Sequence, residues 1–127
     1  ALVVHGGDRL DEITITDSTR IYEVRNGEVL GETEFEPESV GIRRVNRAEI
    51  QGGSPEDNVR IMHQLFAGEE VGPRADIVAI NAAAGLVVAG LAENLESGLE
   101  KAKTVMVDGQ AAAKLKAVVD LSNEIAG

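Results

Sequence analysis

Residues 75 to 92, ADIVAINAAAGLVVAGLA, are apolar almost all the way round a helix, and this stretch limits the fold more than any other. A helix without a polar face needs cover on most sides, so other elements have to pack around it. The run from Ile77 to Ala92 is shorter than the roughly 20 residues that span a bilayer, and it contains Asn81. A buried core helix is therefore expected. Small residues at Ala82, Ala83, Ala84, Gly85, Ala89 and Gly90 allow a neighbour to approach closely. Asn81 would then be a buried amide that must find hydrogen-bond partners.

The elements able to provide that cover come in a definite order. Thr19 to Arg25 alternates as a half-buried strand does, and Asn26-Gly27 supplies the positive-φ pair of a tight type I′ turn. The return strand, Glu28 to Phe35, carries Glu28, Glu32 and Glu34 with Glu36 just beyond, and reads as an exposed edge protected by charge. Pro37 to Ile42 has the marks of one helical turn. Ser54 caps a helix that begins at Pro55, with Glu56 and Asp57 in its first turn and Gly68 at its end. Asn94 caps the next helix after the apolar one, with Leu95, Leu99, Ala102 and Met106 on one face and Gly109 as its stop. A last helix runs from Gln110 towards Ile125, with Leu115, Val118, Val119, Ser122 and Ile125 on one side. Strands first and helices afterwards predict an α/β fold: a small mixed sheet with a β-hairpin, covered by about four helices, in one domain over residues 1–127.

The core of such a fold has to be aliphatic. Apolar residues make up 43% of the chain but aromatic ones only 2%, so Val, Ile, Leu and Ala must fill it, with Tyr22, Phe35 and Phe66 as the only rings. A net charge of −10 argues against a general nucleic-acid or anionic-membrane partner, both of which need a basic face. With no cysteine there is neither a disulfide nor a thiolate metal site, which fits a cytoplasmic protein. No basic leader precedes an apolar signal segment. The chain starts at Ala1, without methionine, inside what reads as a buried strand, and a piece of a longer polypeptide is expected.

Chemistry concentrates in the opening stretch, ALVVHGGDRLDEITIT, where Leu2 to Val4 and Ile13 to Ile15 flank a polar turn that ends in Asp11 and Glu12. Two adjacent acids at a strand end are either solvated residues or a site for a hard cation such as Mg²⁺, which takes one or two protein carboxylates and completes its shell with phosphate and water. His5 lies close by, placed either to orient a ligand or to pack the loop. His63, inside a helix without a second ligand at metal spacing, reads as a packing or surface residue. Arg43, Arg44 and Arg47 form the only basic cluster. Arginine forks grip phosphate, but no glycine-rich loop stands beside them, and neutralising nearby glutamates is the preferred role. The helix start at Gly52-Gly53-Ser54 is no better an anion site, because Glu56 and Asp57 would repel phosphate.

The string His5-Gly6, Arg9-Leu10-Asp11-Glu12-Ile13, then Thr16, Thr19 and Ile21-Tyr22-Glu23-Val24, resembles the anthranilate phosphoribosyltransferases. Gly52-Gly53-Ser54-Pro55-Glu56-Asp57-Asn58 resembles the Gly-Gly segment that opens a helix in that family, and Asn81-Ala82-Ala83-Ala84 with Gly90 resembles its small-residue helix. The resemblance runs through essentially the whole chain and corresponds to roughly the C-terminal third of a family member. It implies the C-terminal part of a nucleoside phosphorylase/phosphoribosyltransferase-like α/β domain. It also implies transfer of the phosphoribosyl group of phosphoribosyl pyrophosphate to anthranilate in tryptophan biosynthesis, with Mg²⁺ and a parent homodimer.

The same match implies that Asp11 and Glu12 are ligands of the Mg²⁺, and His5 and Gly6 are expected to bind substrate. A metal on the leaving pyrophosphate stabilises charge as the bond to the ribose breaks, so no nucleophilic side chain is needed. The departures are equally plain. The chain lacks the family's Gly-Thr-Gly-Gly-Asp loop, its Lys-His-Gly-Asn segment and the arginine that meets the anthranilate carboxylate, and Arg9 stands where many members have glycine. The chain alone is therefore expected to be inactive and to need the missing N-terminal segments. Rival readings are a fragment of a pyrimidine nucleoside phosphorylase-like enzyme, which shares the fold, and a non-catalytic binding or interaction module.

Overall fold

A computed structural model describes all 127 residues, Ala1–Gly127. Three strands, β1 (Leu2–Gly6), β2 (Thr19–Arg25) and β3 (Glu28–Phe35), form a sheet in the order β1-β2-β3. Both pairings are antiparallel, which corrects the expected mixed sheet: each neighbour in this chain arrives by a return of the backbone and none by a crossover helix. The Asn26-Gly27 turn has φ of 53° and 82°, as a I′ hairpin needs. A register shift between Glu23 and Val24 leaves Leu30 as the extra residue of a bulge in β3. That strand is exposed along its length except at Phe35, as its glutamates predict.

A single 3₁₀ turn (Pro37–Val40) and a one-turn helix, α1 (Arg47–Ile50), lead to four long helices. These are α2 (Pro55–Phe66), α3 (Pro73–Val88), α4 (Leu95–Val107) and α5 (Gln110–Ala126). The caps are where the residue types put them. Ser54 Oγ accepts from the Asp57 N–H at 3.2 Å while Asp57 Oδ2 accepts from the Ser54 N–H, and Asn94 Oδ1 accepts from the Ser97 N–H at 2.9 Å. α1 escapes the sequence reading because one turn leaves no periodicity to detect.

The core joins sheet and helices. Ile21 and Phe35 point from the sheet towards Ile77, Ala79, Ile80 and Ala83 of α3, Leu99, Ala102 and Met106 of α4, and Leu65 of α2. Ile13 and Ile15, both fully buried, come from the loop between β1 and β2 and not from a strand. Of the three rings only Phe35 is buried. Phe66 packs at the margin, while Tyr22 faces away and donates its hydroxyl to Glu32.

Burial all round α3 is not what is found. Its core side is covered, but Val78, Ala82, Gly85 and Ala89 form an exposed stripe, and Val88 is 53% exposed. α5 is similar: it contributes no fully buried residue, and Ile125 is 78% exposed. Both helices thus keep an apolar side that no other element of the fold covers.

The tightest contact in the helical layer is at Gly98. A Cβ there would lie 3.0 Å from the Ala83 carbonyl oxygen and 3.1 Å from the Ala83 Cβ, so α3 and α4 touch backbone to backbone. Gly85 has no such neighbour within 4 Å. Gly98→Ala is expected to lower stability by about 1–3 kcal/mol through overpacking, and Gly85→Ala to raise it by about 0.5–1 kcal/mol by removing backbone entropy. Urea midpoints followed by circular dichroism at helix wavelengths check both, the m-value remaining unchanged.

Candidate functional site

The candidate site is the loop between β1 and β2, and its shape follows from Asp8. Asp8 Oδ1 accepts from the Leu10 N–H at 3.1 Å, closing a tight turn, and Oδ2 accepts from the hydroxyls of Thr14 at 2.9 Å and Thr16 at 2.5 Å. Burial alone would raise this carboxyl. The Thr16 hydroxyl, the Leu10 N–H, the Thr14 hydroxyl and the nearby Arg47 charge outweigh it, so Asp8 is held below the ordinary aspartate value of 3.8. Arg9 is carried round the turn at φ 73°, a left-handed conformation in which glycine is at ease.

Ile13, Thr14 and Ile15 are buried without belonging to a strand, so their backbone finds partners elsewhere. Asn81 of α3 provides two of them: Oδ1 accepts from the Ile13 N–H at 2.9 Å and Nδ2 donates to the Ile13 carbonyl at 2.8 Å. Nδ2 also donates to the Ile77 carbonyl at 3.0 Å. Thr14 N–H donates to Thr19 Oγ1 at 3.0 Å, and the Ile15 carbonyl accepts from the Val45 N–H at 3.1 Å. No buried side-chain polar atom in the chain is left without a partner.

Asp11 and Glu12 sit between these anchors, exposed, and neither enters a hydrogen bond or an ion pair. Although the side chain is exposed, partial desolvation of its carboxyl pushes Glu12 above its usual range, and the negative charges of Asp11 and Asp8 add to it. Two of the three clustered arginines are engaged elsewhere, and Arg47 makes no ion pair. Arg44 binds Glu36, Glu38 and Asp17, and Arg43 binds Glu49, which is the neutralising role the sequence suggested. Leu10, beside the acids, lines an open cavity of about 430 Å³ with Arg47, Ala48, Ile50 and Gln51.

The other sequence-predicted residues have distinct surroundings. His5 is exposed on the outer face of the sheet, paired across from Arg20. Gly6 is buried, its N–H donating to the Leu10 carbonyl at 2.9 Å and its carbonyl accepting from the Arg9 N–H at 2.9 Å. A Cβ on Gly6 would lie 2.5 Å from Asp8 Oδ1, so this glycine makes room for the Asp8 turn. His63 is exposed on α2.

Nowhere do three His, Asp or Glu side chains converge as a metal cage would require. Two free neighbouring carboxylates, one of them with its charged form disfavoured, nonetheless suit Mg²⁺, which commonly uses one or two protein oxygens and completes its shell with substrate phosphates and water. Sequence reasoning missed Asp8, Thr14 and Thr16 as a unit. The available signal was an aspartate two residues before a leucine, followed by alternating threonines.

The chain as a whole has recognisable relatives. Residues 1–112 match the family described as "Glycosyl transferase family, a/b domain". The chain is 42% identical over 123 residues to the anthranilate phosphoribosyltransferase of Acetivibrio thermocellus, a match covering 97% of this chain and 35% of that protein. It is 44% identical over 128 residues to the enzyme of the same name from Thermomicrobium roseum, covering 99% and 36%. Among solved structures, anthranilate phosphoribosyltransferase from Thermus thermophilus superposes with a TM-score of 0.84 at 37% identity, over 94% of this chain and 35% of that one. The Saccharomyces cerevisiae enzyme in complex with PRPP and Mg shares the fold at a TM-score of 0.84 and 22% identity, over 94% and 34%. The chain thus spans about a third of the length of the curated relatives it matches.

Two outcomes follow from the loop. Arg9→Gly relieves the left-handed backbone and is expected to stabilise by up to about 1 kcal/mol, against the usual cost of introducing glycine. The depressed Asp8 carboxyl contributes stability that is fully present above 3.8 and is lost as pH falls through its lower folded value. Stability measured between pH 5 and 2 (about the range set by carboxylate titration) should therefore fall less steeply in Asp8→Asn than in the unmutated chain.

Proposed function

We propose that this chain, which belongs to the glycosyl transferase family, a/b domain, forms part of an enzyme that transfers the phosphoribosyl group of phosphoribosyl pyrophosphate to anthranilate and releases pyrophosphate. One observation carries this reading: identity above 40% to anthranilate phosphoribosyltransferases along nearly the whole chain. The free Asp11–Glu12 pair on a fixed loop supports it. So does the yeast enzyme of the same fold, whose complex holds PRPP and Mg.

In this proposal Asp11 and Glu12 hold Mg²⁺, with His5 and Gly6, at the end of β1 just before that loop, meeting the substrate. When bound, Mg²⁺ supplies positive charge against the departing pyrophosphate. The residues of this chain contribute position. Asp8 and the buried Ile13–Ile15 segment keep the acids fixed, so that little reorganisation is needed while charge separates. The attacking atom is the amino nitrogen of anthranilate, brought into line by binding, and no side chain acts as nucleophile. The apolar stripe of α3 and the exposed side of α5 are the surfaces on which the other two-thirds of the enzyme pack. One domain over residues 1–127, a cytoplasmic location and a homodimeric parent complete the proposal.

Co-expression with the N-terminal two-thirds of the Acetivibrio thermocellus enzyme tests it, read as phosphoribosyl-anthranilate formation. Activity is expected in the combination and absent from the chain alone. Asp11→Asn is expected to lower the combined activity about 10²-fold, the scale at which removal of an electrostatic contact to developing charge is felt. Full activity in Asp11→Asn removes the metal role.

A further inference from the structure

We propose that Asn81 is the positioning residue of the Asp11–Glu12 pair, gripping the loop from α3 and setting the direction in which the two carboxylates leave the backbone. This rests on the reading that Asp11 and Glu12 meet a divalent cation. Neither acid makes a hydrogen bond of its own, through backbone or side chain, so the position of both depends on the residues flanking them. On one flank Leu10 is held by the Asp8 carboxylate and by the Gly6 N–H. On the other Ile13 is held at both its N–H and its carbonyl by the Asn81 amide, 68 residues away.

The Ile13 N–H belongs to the same planar peptide unit as the Glu12 carbonyl. Fixing it fixes the plane from which Glu12 departs. Both ends of the amide are engaged: both Nδ2 hydrogens are donated, to Ile13 and Ile77 carbonyls, and Oδ1 accepts from the Ile13 N–H. Its orientation is thus settled, and no other side chain reproduces it. An aspartate would set a carboxylate against two carbonyl oxygens. Asn81 is half-buried on a helix whose neighbours Ile80 and Ala83 are fully buried, so the grip is anchored in the core.

The test uses the 127-residue chain and Mn²⁺, a paramagnetic stand-in for Mg²⁺, read as broadening of the Asp11, Glu12 and Ile13 amide signals by nuclear magnetic resonance. In the unmutated chain those signals should broaden first, and excess Mg²⁺ should restore them. In Asn81→Ala and Asn81→Asp the Mn²⁺ concentration for half-broadening should rise at least about threefold, because preorganisation of the ligands is lost. Ala102→Gly, a destabilising change on α4 that removes none of the hydrogen bonds holding Ile13, should leave it unchanged.

Easier broadening in Asn81→Asp, the result expected if added charge alone attracts the ion, overturns the proposal. So does an equal rise in Ala102→Gly. A variant-free measurement stands beside these: saturating Mg²⁺ should slow exchange of the Ile13 amide hydrogen at least about twofold, by reciprocity of linkage, and unchanged exchange counts against Asn81. Broadening in the unmutated chain that Asn81 variants do not alter overturns the role of Asn81 and leaves the metal reading standing. No broadening near Asp11 and Glu12 in the unmutated chain overturns both.

Discussion

A stretch of backbone that is buried but belongs to no sheet is the constraint on which this structure turns. Ile13, Thr14 and Ile15 lie at zero solvent exposure between the sheet and α3, where an unpaired N–H or carbonyl costs about as much as a lost hydrogen bond. Their apolar side chains pull the segment inward. Its peptide groups then depend on Asn81, Thr19 and Val45, one from α3, one from β2 and one from the segment before α1. Through those three contacts sheet, loop and helix take up a single arrangement, and the acids that precede the buried segment are left in water.

Electrostatics sharpens the same division. The chain carries ten more negative than positive charges, and several of its arginines are spent locally: Arg44 on three carboxylates near the end of β3, Arg43 on Glu49, and Arg60 on Asp57. Exposed pairs of this kind contribute little to stability. Their effect on the candidate site is to leave two adjacent acids uncompensated, with a third, Asp8, close enough to raise Glu12 further. Like charges held together without a counter-charge are an arrangement that a cation relieves.

Local chemistry was legible in the sequence and long-range pairing was not. Asn26-Gly27 specified the hairpin, Ser54 and Asn94 specified two helix starts, and the glutamates of β3 marked an exposed edge, because each depends on neighbours a few residues away. Asn81 could be recognised as an amide in need of partners, but its partner lies 68 residues earlier. The aspartate and threonines of the loop have the same difficulty on a smaller scale, since Thr14 and Thr16 reach back to Asp8 across a turn with no periodicity. The apolar helix misled in one respect: its composition predicts cover on every side, whereas one side of α3 meets solvent. The acids themselves drew attention through resemblance, not spacing, for an Asp-Glu pair is common on an acidic chain.

The aliphatic interior carries a practical consequence. Without tryptophan, and with Tyr22 as the single tyrosine, nearly all absorption near 280 nm comes from one ring. That ring stands on the outer face of the sheet and its hydroxyl is bound to Glu32, which raises its phenol above the ordinary range first through that bond and then through partial burial and the charge of Glu32. Ultraviolet spectra of this protein therefore watch the hairpin, while the helical layer, with no chromophore beyond phenylalanine and the peptide bond, is silent in that window and visible only in the far ultraviolet.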